Sequence, residues 1–191
     1  CIRDRIIGKE VRELSSEDFQ NLKSGFSKCV IDMGTGDGRY VYDMAKDDLQ
    51  TLYVGVDADK QQMQDLSHKA NRKPAKGGLD NVLFLWAPAE QVPQELVGCA
   101  DELIINFPWG SLLSGLVKAD SQMLQSLKSI CKPNAKFTAY LTYDPKFEAQ
   151  TIAEYELPEL STEYLQTTWA TQMRQCGFCL LYTSDAADEE D

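Results

Sequence analysis

Residues 28–38 read KCVIDMGTGDG, and this stretch decides the fold. Its first half is an apolar run of strand length, which is typical of a parallel strand buried on both faces. The run ends in Gly34, Gly36 and Gly38, which allow the backbone to turn sharply and to approach a ligand closely. The stretch therefore predicts a buried strand that leads directly into a binding loop.

The pattern continues along the chain as strands that alternate with helices. Further strands are predicted at residues 51–56, 82–87, 102–106 and 136–143, and helices at 39–46, 60–72 and 112–130. A strand or hairpin at 6–14, a capped helix at 16–23 and later helices at 146–156 and 161–175 complete the prediction. This order indicates an α/β fold with a mostly parallel sheet, right-handed crossovers and helices on both faces. Ligand sites in such sheets lie at the carboxyl ends of the strands.

Composition narrows the class of protein further. A chain of 191 residues with 43% hydrophobic content can form one globular domain with a sizeable core. It contains no apolar run near the roughly 18 residues of a membrane span and no signal peptide, so we expect a cytoplasmic protein without membrane contact. A monomer is expected. We also expect no metal site. The net charge of -11 is unexpected for a protein that binds nucleic acid.

The two ends of the chain are interpreted separately. On back-translation, residues 179–189 give a string that resembles a transposon-type sequencing adapter, and residues 1–5 give the same adapter in the opposite orientation. Matches at both ends indicate non-native sequence, so residues 1–5 and 179–191 are excluded from the fold prediction. The alternative is a genuine N-terminus and a genuine acidic tail. We expect one domain over residues 6–178 that stops before its natural end.

Polar residues after three predicted strands indicate the ligand of the glycine loop. Asp32, at the end of the first buried strand, can accept a hydrogen bond from an ammonium group but would repel a pyrophosphate. Asp57, at the end of the next strand, can accept both hydroxyls of a ribose. Ala89 and Glu90 follow the third strand, where an adenine ring could lie against small apolar atoms. The loop reads G-x-G-x-G and not the G-x-G-x-x-G of nicotinamide-binding proteins, which favours S-adenosylmethionine (SAM).

Residues 6–178 resemble the 16S rRNA (adenine-1408-N1) methyltransferases that confer aminoglycoside resistance. The resemblance rests on five segments in a characteristic order and spacing. These are IDMGTGDGR at 31–39, VGVD at 54–57, KPAKGGL at 73–79, AE at 89–90 and FPWGSLL at 107–113. The first is common to many methyltransferases, whereas the third and fifth are much more specific.

The resemblance implies a Rossmann-like class I SAM-dependent methyltransferase that modifies N1 of adenine-1408 in the 30S ribosomal subunit. In this family two tryptophans enclose the flipped base, and Trp109 matches the first, with Pro108 in the same turn. The second belongs to a C-terminal linker that this chain lacks, together with the last strands of the fold. Trp86 and Trp169 are interpreted as structural. The cofactor residues expected are Asp32, Gly34, Thr35, Gly36, Asp37, Asp57, Ala89, Glu90 and Ser111.

A basic segment is the predicted contact with 16S rRNA. Residues 68–76 include five basic or potentially basic side chains and no acidic one. They are His68, Lys69, Arg72, Lys73 and Lys76. Helical spacing predicts that the first four lie on adjacent faces of one helix, and the matching positions of the family contact the RNA backbone. Phosphate contacts of this kind supply affinity and register but no sequence specificity.

Asn106 departs from the family, in which an apolar residue precedes the Phe-Pro-Trp segment. Asn106 and Pro108 approach the Asn/Asp-Pro-Pro-aromatic motif of methyltransferases that act on exocyclic amino groups, so N6 of adenine is an alternative target atom. Asn106 is therefore included with Pro108 and Trp109 among the catalytic candidates. Two other hypotheses remain open, namely a methyltransferase for a small molecule and a SAM-binding fragment without turnover.

Overall fold

The computed structural model describes residues 4–180. Its strands are β1 Asp4–Ile7, β2 Glu10–Glu13, β3 Lys28–Met33, β4 Thr51–Asp57, β5 Val82–Trp86, β6 Ala100–Asn106 and β7 Cys131–Tyr140. They form one sheet in the order β2-β1-β5-β4-β3-β6-β7. Strands β3 to β7 run parallel to one another, whereas β1 is antiparallel to both β2 and β5. The mostly parallel sheet and the N-terminal hairpin are therefore confirmed.

Helices cover both faces of this sheet. They are α1 Ser16–Ser24, α2 Arg39–Asp47, α3 Gln64–Ala70, α4 Gly110–Val117, α5 Ser121–Ile130, α6 Pro145–Tyr155, α7 Thr162–Tyr164 and α8 Ala170–Gln175. A π-helical turn at Leu165–Trp169 joins the last two, and short 3-10 turns lie at Pro74–Lys76 and Gln94–Leu96. None of the helices that the structure describes combines the length and apolar character needed to cross a lipid bilayer.

The core is divided between the two faces because side chains alternate along each strand. In β3, Ile31 and Met33 point into the larger cluster, which α1, α4, α5 and α8 cover. Val30 points into the opposite cluster, where Val41 and Tyr42 of α2 pack. The central strands are thus buried on both sides, as their continuous apolar runs predicted.

The bounds predicted for two helices were wrong. The helix predicted at 112–130 is two helices, α4 and α5, because Ala119 adopts a positive φ of 51° and Asp120 caps a new helix. The Asp120 side chain accepts a hydrogen bond from the Met123 amide at 2.8 Å. The helix predicted at 60–72 is reduced to α3, which ends at Ala70. Arg72 and Lys73 consequently lie beyond the helix and do not share a helical face with His68 and Lys69.

The hairpin extends the sheet past the predicted domain boundary. Asp4 and Arg5, which were assigned to the excluded N-terminal segment, pair through their backbones with Trp86 and Leu85 of β5. At the other end, Leu180 is half-buried against the larger cluster. The adapter-like origin of both ends stays a prediction, and residues 1–3 and 181–191 lie outside the described part of the chain.

The last helical segment is fixed to α4 by side-chain hydrogen bonds to the end of that helix. The Trp169 indole N–H donates to the Leu116 carbonyl at 2.8 Å, and the Tyr164 hydroxyl donates to the Val117 carbonyl at 2.8 Å. Met173 is buried one turn further on. This agrees with the interpretation of Trp169 as a packing residue.

A substitution at Gly38 tests how tightly the glycine loop packs against the smaller cluster. It has a φ of 78°, and an added Cβ would lie 2.2 Å from Cε1 of Phe84 in the smaller cluster. We expect Gly38→Ala to lower the free energy of unfolding by about 3 kcal/mol or more, from backbone strain plus overpacking. Urea unfolding followed by circular dichroism measures this.

Gly98→Ala is the matched control for this substitution. Gly98 has a similar φ of 64°, but an added Cβ there would meet no atom within 4 Å. Gly98→Ala should therefore lower the free energy of unfolding only by the backbone strain, about 1–2 kcal/mol. Equal losses for the two variants would contradict the proposed contact with Phe84.

Candidate active site

A cleft of about 190 Å³ opens at the carboxyl edge of the sheet. It is built by the residues that follow β3, β4, β5 and β6, four strands that lie side by side. The lining residues are Met33, Gly34, Gly36, Asp57, Ala58, Gln62, Ala87, Ala89, Glu90, Phe107, Pro108, Trp109, Ser111 and Leu112. The cleft is therefore where the topology of an open parallel sheet places a ligand site.

The glycine loop after β3 is held over the end of β4 by backbone hydrogen bonds. The amides of Gly34 and Thr35 both donate to the Val56 carbonyl, at 2.8 and 3.0 Å. The Gly36 amide donates to Oδ2 of Asp57 at 2.8 Å, and Oδ1 of Asp57 accepts from the Asp59 amide. These contacts fix the loop and the Asp57 carboxylate relative to each other at the floor of the cleft.

Asp32 lies behind this loop and is only 1% exposed. Its Oδ2 accepts a hydrogen bond from the Thr35 hydroxyl at 2.7 Å, and its Oδ1 accepts one from the Asn106 amide at 3.3 Å. Burial raises the pKa of the Asp32 carboxyl to about 6, although both hydrogen bonds act in the opposite direction. The nearby Asp57 charge contributes to the increase. The sequence thus positions a weakly acidic group directly behind the loop.

The Phe-Pro-Trp turn forms the opposite wall of the cleft. Phe107 has a positive φ of 47°, which is unusual for an aromatic residue, and its amide donates to the Tyr140 carbonyl at 2.9 Å. The rings of Phe107 and Tyr140 stack with their centroids 6.2 Å apart. Pro108 is buried, whereas the next residue, Trp109, is 67% exposed at the cleft. The turn therefore leaves the Trp109 indole exposed at the cleft.

Most of the predicted cofactor and substrate residues meet in this cleft. Those that line it are Gly34, Gly36, Asp57, Ala89, Glu90, Pro108, Trp109 and Ser111. Asp32 and Thr35 do not line the cleft, and the Thr35 hydroxyl donates a hydrogen bond to the Asp32 carboxylate. Asp37 is outside the cleft, where its carboxylate accepts a hydrogen bond from the Arg39 amide and forms an ion pair with the Arg39 guanidinium.

Several lining residues were not predicted from the sequence. Ala58 and Gln62 come from the turn after β4, and Leu112 comes from the first turn of α4. Phe107 is adjacent to two predicted residues and could have been included for that reason. The others have no local sequence signal, because their side chains are ordinary and only the tertiary fold brings them to the cleft.

Asn106 ends β6 but is not among the residues that line the cleft. Its amide donates to Asp32, so at least one amide proton is directed at the buried carboxylate. Trp86 is likewise outside the cleft. Its indole N–H donates to the Ala58 carbonyl at 2.8 Å, and the Lys60 ammonium lies 4.3 Å from the centre of its ring.

The basic segment lies on the face of the sheet that α2 and α3 cover. The Tyr42 hydroxyl donates to the Gly77 carbonyl at 2.7 Å, and the Lys69 ammonium lies 4.7 Å from the centre of the Tyr42 ring. His68 packs against Gly8 of the N-terminal hairpin turn. Arg72, Lys73 and Lys76 are exposed, and within residues 4–180 none of these three takes part in an ion pair. They form a positive patch, defined here as Arg72, Lys73 and Lys76.

The cleft suits the parts of SAM by its chemistry. Carboxylates of Asp57 and Glu90 line it and Asp32 lies behind it, so the local charge is negative and favours a cationic ligand. Ala87 and Ala89 provide a small apolar wall suited to a flat ring. Within residues 4–180, no three His, Cys, Asp or Glu side chains are grouped closely enough to hold a metal ion.

The strand order and the loop that links β3 to α2 define a class I SAM-dependent methyltransferase fold. A family model described as "NpmA: 16S rRNA (adenine(1408)-N(1))-methyltransferase" matches residues 4–190. The chain belongs to the 16S rRNA (adenine(1408)-N(1))-methyltransferase family.

Individual relatives agree with this assignment. The 16S rRNA (adenine(1408)-N(1))-methyltransferase of Streptoalloteichus hindustanus is 39% identical over 97% of this chain and 85% of its own length. The enzyme of the same name from Escherichia coli is 37% identical over 90% of this chain and 78% of its own length.

Solved structures show the same similarity in three dimensions. The crystal structure of the aminoglycoside resistance methyltransferase NpmB1 matches with a TM-score of 0.87 and 36% identity, covering 91% of this chain and 84% of that one. A mutant 16S rRNA (adenine(1408)-N(1))-methyltransferase from Catenulisporales acidiphilia, crystallised with the cosubstrate SAM, matches with a TM-score of 0.85 and 31% identity. That match covers 91% of this chain and 78% of the other.

The buried carboxyl of Asp32 predicts a pH-dependent cost to stability. Its folded-state pKa of about 6 lies above the ordinary value of 3.8, so the folded protein binds this proton more tightly than the unfolded chain. Asp32 therefore reduces stability progressively as the pH rises from about 4 to about 6. We expect Asp32→Asn to raise the free energy of unfolding by about 1–3 kcal/mol at pH 7.5.

Urea unfolding at two pH values tests this expectation. The stability difference between Asp32→Asn and the unsubstituted chain should nearly vanish at pH 4, where the folded protein holds the proton. A difference of the same size at both pH values would show that ionisation of Asp32 is not its cause.

Proposed function

We propose that this chain binds SAM in the carboxyl-edge cleft and transfers its methyl group to N1 of adenine-1408 in 16S rRNA of the 30S ribosomal subunit. The observation that carries the proposal is the Trp109 turn, which presents an indole ring that is 67% exposed beside an acidic cleft. Membership of the 16S rRNA (adenine(1408)-N(1))-methyltransferase family supports the target nucleotide. Methylation there would give resistance to aminoglycosides.

Different cleft residues are assigned to different parts of SAM. The carboxylate of Asp57 is the candidate acceptor for the ribose hydroxyls, while Ala89 and Glu90 border the place for the adenine ring. The backbone of Gly34 and Gly36 gives a close approach for the methionine part, and Ser111 adds a hydroxyl at the start of α4. Asp32 contributes negative charge from behind the loop, which favours a ligand that carries ammonium and sulfonium groups.

The chemistry requires positioning more than proton transfer. SAM supplies an electrophilic methyl group on its sulfonium. The lone pair of adenine N1 is available at neutral pH, so it can form the N–C bond as the C–S bond breaks, with the positive charge passing to the adenine ring. N1 lies on the pairing edge, so the base has to leave its stack to react. Trp109 offers a face on which the extruded base can stack, worth about 1–3 kcal/mol.

Docking on the RNA is assigned to the positive patch of Arg72, Lys73 and Lys76, with His68 and Lys69 beside it. Within the described residues the three side chains of the patch are exposed and form no ion pair, so they are available to phosphate oxygens. The chain is acidic overall, with a net charge of -11, and a local patch explains how it could bind one shaped RNA surface without coating nucleic acid in general.

A second candidate target is the exocyclic amino group N6. Asn106 was the reason for this alternative, but its amide hydrogen bond to Asp32 and its absence from the cleft wall do not favour direct contact with a substrate amino group. A methyltransferase for a small molecule and a SAM-binding protein without turnover are the remaining alternatives. The two predictions below separate them from methylation of adenine-1408.

Trp109→Ala tests the stacking role. We expect methyl transfer to fall by about 100-fold or more, since base capture and alignment are lost together, while the Kd for SAM changes by less than about threefold. Primer extension on 30S subunits incubated with SAM reports modification at adenine-1408, and isothermal titration calorimetry reports SAM binding.

Trp86→Phe is the matched tryptophan control, because Trp86 lies outside the cleft, and it should retain transfer. Full transfer by Trp109→Ala would refute the stacking role. The absence of a primer-extension stop at adenine-1408 with the unsubstituted chain would refute the target, while the calorimetry tests the cofactor separately.

The double substitution Arg72→Ala with Lys73→Ala tests the positive patch. We expect the affinity for 30S subunits to fall by about tenfold or more at low salt, and the dependence of that affinity on salt to weaken, because two phosphate contacts are lost. Filter binding over a series of salt concentrations measures both. SAM affinity should not change.

Lys118→Ala provides the control for a lost positive charge. Lys118 is an exposed lysine at the end of α4, distant along its helix from the cleft. If it weakened 30S binding as much as the patch variant does, the effect would be one of net charge and the assigned patch would be wrong.

A further inference from the structure

Asn106 has no role in the proposed reaction, but three features of its surroundings suggest another one. It is half-buried at the carboxyl end of β6, it lies outside the cleft wall, and its amide is committed to the Asp32 carboxylate at 3.3 Å. The strand register explains the contact. Asp32 of β3 is opposite Ile104 of β6, so Asn106 lies two residues further along on the same face.

We propose that Asn106 is a positioning residue that holds the buried Asp32 carboxylate ionised and fixed behind the loop, so that the cleft keeps the negative charge needed for a cationic cofactor. The inference rests on the proposed binding of SAM and assigns a role to a residue that does not itself touch the ligand.

The surroundings of Asp32 show why such a partner matters. The carboxylate is 1% exposed, so water contributes little to its solvation. Around it are the Thr35 hydroxyl from the loop, the Asn106 amide from β6, the Asp57 carboxylate from β4 and the Tyr40 phenol from α2. None of these groups is a cation. Two hydrogen-bond donors therefore provide the stabilisation of the charge, and one of them is Asn106.

The two donors are not equivalent in origin. Thr35 belongs to the same loop as the cofactor site and is three residues from Asp32, so its contact is local. Asn106 comes from a strand 74 residues away. It therefore also fixes the end of β6, where the Phe-Pro-Trp turn begins, relative to the glycine loop. This hydrogen bond adds a side-chain link to the backbone pairing of β3 with β6.

Loss of the Asn106 donor should shift the pH range over which Asp32 ionises. Burial already raises the pKa of Asp32 to about 6. We expect Asn106→Leu, which has a similar branched shape but no donor, to raise the pKa of Asp32 by about one further pH unit. If SAM binds well only when Asp32 is ionised, its affinity should fall about fivefold at pH 6 and less than twofold at pH 7.5.

The experiment measures SAM affinity by calorimetry from pH 5.5 to 7.5 for the unsubstituted chain, Asn106→Leu and Asn106→Ala. A pH-selective loss in both variants supports the proposal. A loss of equal size at every pH, or none, would overturn it, because a distorted cleft would not respond to pH in this way. The neutral nucleoside 5′-methylthioadenosine, which lacks both cationic groups, should bind all three proteins with little difference in pH dependence.

A second readout needs no ligand. The carboxyl carbon of Asp32, followed by NMR during a pH titration, should give a higher pKa in Asn106→Leu than in the unsubstituted chain, and coincident titrations would overturn the proposal. In an Asp32→Asn background, Asn106→Leu should no longer change the pH dependence of SAM binding. If SAM fails to bind the unsubstituted chain at every pH, the proposed cofactor is wrong, whereas the NMR titration still decides the role of Asn106.

Discussion

The organisation of the candidate site follows from one buried charge. The Asp32 carboxylate is removed from water at the point where β3 becomes the glycine loop, and burial of an ionised carboxyl is costly unless hydrogen bonds replace its solvation. Thr35 and Asn106 provide those bonds, one from the loop itself and one from a distant strand. The requirement to solvate this group therefore couples the conformation of the loop to the position of β6. A site that binds a cation gains from the same charge that reduces the stability of the fold.

The parallel sheet converts this local arrangement into a binding site. Because β3, β4, β5 and β6 are neighbours and run in the same direction, the residues after each strand meet at one edge. The glycine loop follows β3, Asp57 ends β4, Glu90 follows β5 and the turn that contains Trp109 follows β6. The glycine loop is tied to β4 through the Val56 carbonyl and the Asp57 carboxylate, so the cleft is formed by the fold before any ligand arrives. Preorganisation of this kind lowers the cost of binding.

The proposed contacts with RNA lie in two separate places. The indole of Trp109 stands at the cleft, whereas the positive patch lies on the face covered by α2 and α3, where Tyr42 holds the loop at Gly77. An RNA substrate that uses both has to present a base to the cleft and its backbone to the patch. This division agrees with an acidic protein that recognises the shape of one assembled RNA surface.

The sequence by itself determined the elements and the identity of the cleft. The apolar run of β3, the glycines after it and the acidic residues at strand ends are local signals, and they predicted the parallel sheet and the positions of Asp57 and Glu90. The Trp109 turn was predicted from the family resemblance. Only the tertiary structure decided where Arg72 and Lys73 lie, because α3 ends at Ala70, and that the predicted helix at 112–130 is divided at Ala119. It also decided the role of Asn106, whose hydrogen-bond partner is 74 residues away. Such a contact depends on the register of two strands, and strand register is set by packing across the whole sheet, which no local pattern records.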